Sequence, residues 1–326
     1  MSYQSIKTRV IGVDIKKDIT TYAVVDIRGT IIAKEQFQTT DYPDISDFVS
    51  ELGNRIVSIS EANGGYDNIR SLGISVNSGN NYTGCIENAA NMPWKGVVPL
   101  AAMLGDRLGM AVALSNNAHV SALGEFVFGS AHGMKNFIVV TLGSGMGSCF
   151  FSRGKAHLGA DGFAGEIGHT KVADNGRLCG CGHHGCLETY CSARGIETTA
   201  HELISTTDLP SKLREKSDFV LNDIIDCCKA DDPLAVETMK RTGKMLGLGI
   251  ANYASLINPE AVIFTGRVAK AGDYLFEPAY ESFEQRVYKN LKGRTKFLQS
   301  ILDNQERDVL GASVLAWGIK EYSLFK

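Results

Sequence analysis

Apolar residues fall along the chain in two similar series. In the first, β-branched runs over 9–15, 20–27 and 31–37 are separated by short polar breaks, the second at Arg28-Gly29, and predict a β-meander. Over 43–62, Ile45, Phe48, Val49, Leu52, Ile56 and Ile59 recur near one helical face. A short apolar strand over 71–76, a helix over 100–108 and a strand over 111–114 follow. That strand runs into Ser115-Asn116-Asn117. Asparagine is a good N-cap, so a helix is predicted over 118–128.

The second series repeats the pattern. A strand over 137–142 and its return over 148–151 flank a glycine-rich turn, and a polar helical region extends to about Lys229. One long helix over 233–256 carries Gly243, Gly247 and Gly249, which would allow close packing. A strand over 261–264 and helices over 274–288 and 311–319 complete the chain. Two lobes are therefore expected, each an open mixed sheet with helices on both faces. No low-complexity linker separates them. The expected division is an N-terminal α/β lobe over 1–117, with a C-terminal helix over 308–326 packing back on it, and a C-terminal α/β lobe over 118–307.

The totals narrow the class without naming a function. A chain of 326 residues suits two packed lobes, and 44% hydrophobic residues suffice for a core. The net charge is -3 and no long basic run occurs, which argues against direct nucleic-acid binding. No apolar run reaches the about 18 residues that span a bilayer, and the N-terminus lacks a charged-then-apolar signal pattern, so a cytoplasmic protein with no membrane association is expected. Disulfides are rare in that compartment. Of eight cysteines, Cys85, Cys149, Cys191, Cys227 and Cys228 read as small buried hydrophobes.

The other three stand together. Cys179, Cys181 and Cys186 lie within eight residues with Gly180, Gly182 and Gly185 between them, and His169 precedes the first by ten positions. Such a set suits a tetrahedral, structural Zn2+. His183, His184 and Cys191 compete with His169 for the fourth position. Closing the loop over 169–186 on a metal would fix Glu166 and Glu188, and a polar ligand could be gripped between them. Elsewhere, the turn TLGSGMGS over 141–148 places Gly143, Gly145 and Gly147 where backbone N–H groups can close on an anion, although a tight hairpin accounts for it equally well. Asn258-Pro259, then a strand ending in Thr265-Gly266, is a common nucleotide-edge pattern.

These residues together resemble the ROK family (repressors, open reading frames and sugar kinases), with a glucokinase-like pattern running from about Val10 to Ala316. Its most specific part is Gly165-Glu166-Ile167-Gly168-His169 followed by the three cysteines and Glu188. The resemblance implies an actin-like/hexokinase-like (ribonuclease H-like) two-lobe α/β fold with a sugar/nucleotide cleft between the lobes. It implies zinc on His169, Cys179, Cys181 and Cys186, and sugar contacts from Glu166, His169 and Glu188. Asn91, in Asn91-Met92-Pro93-Trp94, would stand near the sugar. Thr141, Gly143, Gly145, Gly147 and Gly266 would lie on the ATP side with Asp14. A homodimer is expected on the same ground.

Departures from the family pattern bear on activity. The family's kinases carry Glu-Asn-Asp-Ala-Asn where this chain has Ser115-Asn116-Asn117-Ala118-His119. Asn117 thus stands at the catalytic position of the general base, and a neutral amide cannot accept the sugar proton. Asn116 and Asn117 can still hydrogen-bond hydroxyls. The first phosphate loop, Asp-x-Gly-Gly-Thr in the family, is Asp14-Ile15-Lys16-Lys17-Asp18 here, without either glycine. Lys16 and Lys17 could supply cationic contacts to phosphate instead, but two lysines on a strand turn are more often simply solvated.

Three functions follow as expectations. The first is a protein that binds a hexose or N-acetylhexosamine, with phosphoryl transfer weak or lost. The second is an active sugar kinase using Mg2+ and ATP. The third is a sugar-sensing transcriptional regulator; with about eight residues before the first strand, the chain is expected to need a partner for DNA binding.

Overall fold

The computed structural model describes residues 6–89, 91–304 and 306–320. Residues 321–326 of the expected terminal helix lie outside them. Contacts divide the chain into two units, 1–132 with 159–163 and 302–326, and 133–158 with 164–301. The segment 118–132, expected in the C-terminal lobe, therefore groups with the first unit. The reason is packing: residues of the helix Asn117–Phe128 meet the C-terminal helix Arg307–Trp317, with Gly124 and Gly311 at the closest approach.

In the first unit, β1 (Arg9–Ile15), β2 (Ile19–Asp26) and β3 (Ile31–Gln38) form the predicted meander. Helix α1 (Ile45–Ala62) starts at Asp44, whose carboxylate accepts the Ser46 N–H at 2.7 Å. Strand β4 (Ile69–Val76) lies parallel to β1. Three short strands, β5 (Gly79–Asn80), β6 (Cys85–Glu87) and β7 (Val97–Val98), form a small sheet with no apolar alternation long enough to be read in the sequence. Helix α2 (Leu100–Leu108) then leads to β8 (Ala111–Asn116), which joins β4 in parallel, and on to α3 (Asn117–Phe128). The main sheet is ordered β3-β2-β1-β4-β8. On it sits the C-terminal helix, which starts four residues earlier than the apolar pattern indicated. It comes close because β1 and β4 present Gly12 and Gly73, where a Cβ would stand 2.3 Å from Val309 O and 1.9 Å from Ala312 O. That approach brings the start of the helix to the end of β1.

The second unit repeats the design. Strands β9 (Phe137–Leu142), β10 (Met146–Ser152) and β11 (Lys155–His157) are a meander. Helices α4 (Glu188–Cys191), α5 (Ala193–Thr206), α6 (Leu221–Lys229) and α7 (Pro233–Ile257) follow. Then come β12 (Ala261–Thr265), α8 (Asp273–Arg286) and β13 (Lys296–Gln299), giving the order β11-β10-β9-β12-β13. The two main sheets share one strand order, in keeping with the two similar series of apolar runs. β11 and β13 are three- and four-residue edge strands, too short to register as a periodic run.

Helix α7 has Asp232 as N-cap and Pro233 in its first turn. Its glycines face two neighbours: Gly243 and Gly247 meet α8, and Gly249 meets Leu187, whose Cδ2 would stand 2.4 Å from an added Cβ. Leu187 is fully buried, worth about 1.5–3 kcal/mol for a side chain of that size. It fixes the chain immediately before Glu188. Among the cysteines read as buried, Cys149, Cys191 and Cys228 are, whereas Cys85 and Cys227 are only half-buried. No helix among the described residues is long and apolar enough to cross a membrane.

Candidate functional site

Each unit gathers polar residues at the carboxyl ends of its parallel strands, the usual ligand-binding edge of such sheets. In the first unit, Asp14 on β1 pairs in register with Ser75 on β4, and Ser75 with Ser115 on β8. Register partners on adjacent strands share a face, so the three form one buried polar row. Burial raises the Asp14 carboxyl to about 6; Asp308 adds to that rise and Lys16 pulls it back. Lys16 is not simply solvated, as its sequence position indicated. Its Nζ lies 2.9 Å from Asp14 Oδ2 and 3.3 Å from Asp308 Oδ2.

At the far end of the row, Ser115 Oγ is 2.7 Å from Nδ1 of His119. Both positions differ from the family's kinase pattern, and here they are hydrogen-bonded to each other. Burial lowers the His119 ring to about 4, so it is neutral near pH 7. Asn116 Oδ1 accepts the Ala118 N–H at 2.8 Å as the N-cap of α3, which commits one of the two groups its amide could offer a ligand. Asn117, the first residue of that helix, is exposed. Asn91 is exposed too, at a recess of about 290 Å³ that it shares with Lys17, Thr40, Met92, Pro93 and Lys95. The Trp94 indole N–H donates to Tyr42 O at 3.2 Å and holds that turn.

In the second unit, ligand atoms of His169, Cys179, Cys181 and Cys186 all lie within 4.8 Å of one another. Cys179 Sγ is 3.6 Å from His169 Nδ1, and Cys181 Sγ is 3.6 Å from Cys186 Sγ. A tetrahedral zinc, with Zn–S about 2.3 Å and Zn–N about 2.0 Å, sets ligand atoms roughly 3.5–3.8 Å apart, so the donors fit such an ion. Of the competitors, His184 Nδ1 is 3.0 Å from Gly176 O and Cys191 Sγ reaches Thr242 O, while His183 Nδ1 stands 3.6 Å from Cys181 Sγ. The His183 backbone N–H, then its ring, hold the Cys181 thiol at about 6, whereas burial pushes Cys186 up to about 12.

Glu166 and Glu188 flank this loop. His169 Nε2, the nitrogen turned away from Cys179, is 3.9 Å from Glu166 Oε2. Burial raises the Glu166 carboxyl, the charge of His169 opposes the rise, and the nearby charge of Glu188 adds to it. Glu188 Oε2 also accepts the Met146 N–H at 2.8 Å, so the glycine-rich turn and the metal loop are joined. At the end of β9, Thr141 and Thr265 are register partners with their hydroxyls 3.0 Å apart. Gly266 follows at φ +90°, where a Cβ would meet Leu142 O at 2.3 Å. Gly143 N–H donates to Gly145 O at 2.9 Å, and Gly147 pairs with Thr141.

One organising residue escaped the sequence reading. Arg177, inside the metal loop, donates to Thr189 O, Gly195 O, Thr199 Oγ1 and both Glu202 oxygens, and stacks over Tyr190 at 4.7 Å. It ties the loop to α5. A lone arginine between a glycine and a leucine carries no signal of that role.

The chain is similar to the glucokinase of Halalkalibacterium halodurans, 34% identical over 73% of this chain and 72% of that protein. It is similar to the xylose repressor of Bacillus subtilis, 25% identical over 93% of this chain and 75% of that one. It superposes on a ROK family glucokinase from Streptomyces griseus in complex with glucose and AMPPNP with a TM-score of 0.77 and 28% identity, covering 95% of this chain and 99% of that one. The fold is thus the actin-like, hexokinase-like two-lobe α/β fold. A model of the ROK family matches residues 10–318, and the chain belongs to that family.

Proposed function

We propose that this ROK protein binds a hexose or N-acetylhexosamine and transfers phosphate to it weakly or not at all. Glu166, His169 and Glu188 accept and donate to sugar hydroxyls, with Asn91, Asn116 and Asn117 as further contacts. A structural zinc on His169, Cys179, Cys181 and Cys186 holds the loop in place. The observation that carries the reading is the amide at Asn117. It can orient a hydroxyl but cannot take its proton, and losing a positioned base costs about 10²–10⁴-fold in rate. The two carboxylates of the proposed sugar side, by contrast, are present, Glu188 held by the Met146 N–H and Glu166 beside His169.

A second reading, an active glucokinase-like enzyme using Mg2+ and ATP, is favoured by the turn over 141–147 and by Gly266, which keep the backbone such a nucleotide needs. When bound, ATP would supply the phosphoryl group. Thr141, Gly143, Gly145, Gly147 and Gly266 would border it. A thermal-shift panel of hexoses and N-acetylhexosamines, with and without Mg-ATP, is paired with a coupled ADP assay. Stabilisation by a sugar without ADP release is the expected result. No response to any sugar overturns the binding proposal, and rapid ADP release overturns the loss of transfer.

A further inference from the structure

The glucokinase relatives imply a divalent cation, and the first unit places a carboxylate, Asp14, at the end of β1 where one would be sought. The residues around Asp14 do not fit that ion, because another cation already occupies the position. Lys16 Nζ lies between Asp14 Oδ2, at 2.9 Å, and Asp308 Oδ2, at 3.3 Å. The two carboxylates are almost wholly buried, at 5% and 7% side-chain exposure, while the lysine stem is 58% exposed and reaches in from the turn between β1 and β2. Arg307 Nε completes the cluster at 3.1 Å from Asp308 Oδ1. Two buried anions therefore meet two cations, and the charge is balanced without a metal. Two buried carboxylates left without that balance would repel strongly.

A second feature is independent of the ion pairs. Ser75 is fully buried beside Asp14 in the sheet register, and its hydroxyl makes no hydrogen bond of normal geometry. Two carboxylate oxygens converge on the lysine ammonium, and a neutral hydroxyl lies beside one of them; oxygen donors of this kind are what hard divalent cations select. A lysine ammonium is a compact point charge able to stand in for such an ion.

We propose that Lys16 is a built-in cation that plugs an oxygen-lined divalent-cation site formed by Asp14, Asp308 and Ser75. The packing of the C-terminal helix on Gly12 and Gly73 delivers Asp308 to the site, so the plug also ties the β1–β2 turn to that helix. A chain built in this way does not take Mg2+ at Asp14 while Lys16 is seated. This deepens the reading of weak transfer given above by supplying a second cause for it. Its test needs neither sugar nor nucleotide, so the two can fail separately.

The test is Mn2+ binding to the full chain, followed by the loss of the free-ion electron paramagnetic resonance signal, with Zn2+ present to saturate the cysteine loop. Wild type is expected to bind no Mn2+ at this site. Lys16→Met, which keeps the exposed stem and removes the charge, is expected to gain one saturable site. Adding Asp308→Asn to Lys16→Met should abolish it. Lys16→Gln serves as a second variant, and thermal unfolding establishes that each chain is folded. A wild type that binds Mn2+ as tightly as the folded Lys16 variants overturns the proposal, as does a folded Lys16→Met and Lys16→Gln pair that binds none.

Discussion

The Glu188 carboxylate accepts the Met146 N–H at 2.8 Å, so one side chain braces the glycine-rich turn and is also a proposed sugar contact beside the metal loop. The two roles separate by substitution. Glu188→Ala removes a charge-assisted hydrogen bond and is expected to cost about 1.5–3 kcal/mol of stability. Glu188→Gln keeps a neutral acceptor for Met146 and should cost less. Both should lose the sugar-dependent thermal shift, because neither offers a carboxylate to the hydroxyls. Urea unfolding and sugar calorimetry read the two effects. A Glu188→Gln chain that retains full sugar affinity would remove Glu188 from the sugar site.

The cysteine loop is expected to carry one zinc per chain by elemental analysis. Binding free energy at a structural site is folding free energy, so a strong chelator should lower the unfolding temperature and added Zn2+ should restore it. Cys186 is buried at 1% exposure, and Cys186→Ser should abolish zinc retention. His183→Ala should leave it intact if His169 is the fourth ligand. Zinc lost with His183 but kept with His169→Ala would exchange the two assignments.

Much of this was legible in the chain. β1, α2 and β9 span the residues of the apolar runs, and an asparagine cap with a helix from 118 was read from residue type, one residue later than the observed cap at Asn116. What escaped depends on residues brought together from distant positions. Lys16 meets Asp308 only because Gly12 and Gly73 admit the C-terminal helix, and nothing near Lys16 in sequence points to position 308. Arg177 is tied to α5 through carbonyl groups, which no side-chain pattern encodes. The short edge strands β11 and β13 are too brief for periodicity and gain their ladders only once β10 and β12 exist.

The neutral His119 predicts an acid-dependent loss of stability. Its folded value of about 4 lies below the ordinary histidine value of 6.5. The unfolded chain therefore binds this proton first. Its contribution is full above pH 6.5 and declines as pH falls toward 4, by roughly 3 kcal/mol in total. Asp14, raised by burial to about 6, works in the opposite direction, since its unfavourable charge is relieved on acidification. The two partly cancel in wild type. His119→Asn removes only the first, so its stability should fall less steeply than wild type between pH 7 and 4 in urea titrations. Parallel profiles would place His119 outside this account.

Asn117→Asp tests the missing base directly. Asn117 is exposed and is the first residue of α3, so an aspartate there disturbs no packing, and a carboxylate at a helix start is favourable by about 0.3–1 kcal/mol. A loss of activity through misfolding is thus not the expected outcome. Sugar affinity should change little, because amide and carboxylate oxygens both accept from a hydroxyl. ADP release in the presence of sugar and Mg-ATP should rise by about 10²–10⁴-fold if proton acceptance is the missing step. If the seated Lys16 is a separate barrier, the single variant will rise less than the double variant with Lys16→Met, and the surplus in the double measures the plug. A wild type that already turns over fast, and gains nothing from Asn117→Asp, would show that another group takes the proton.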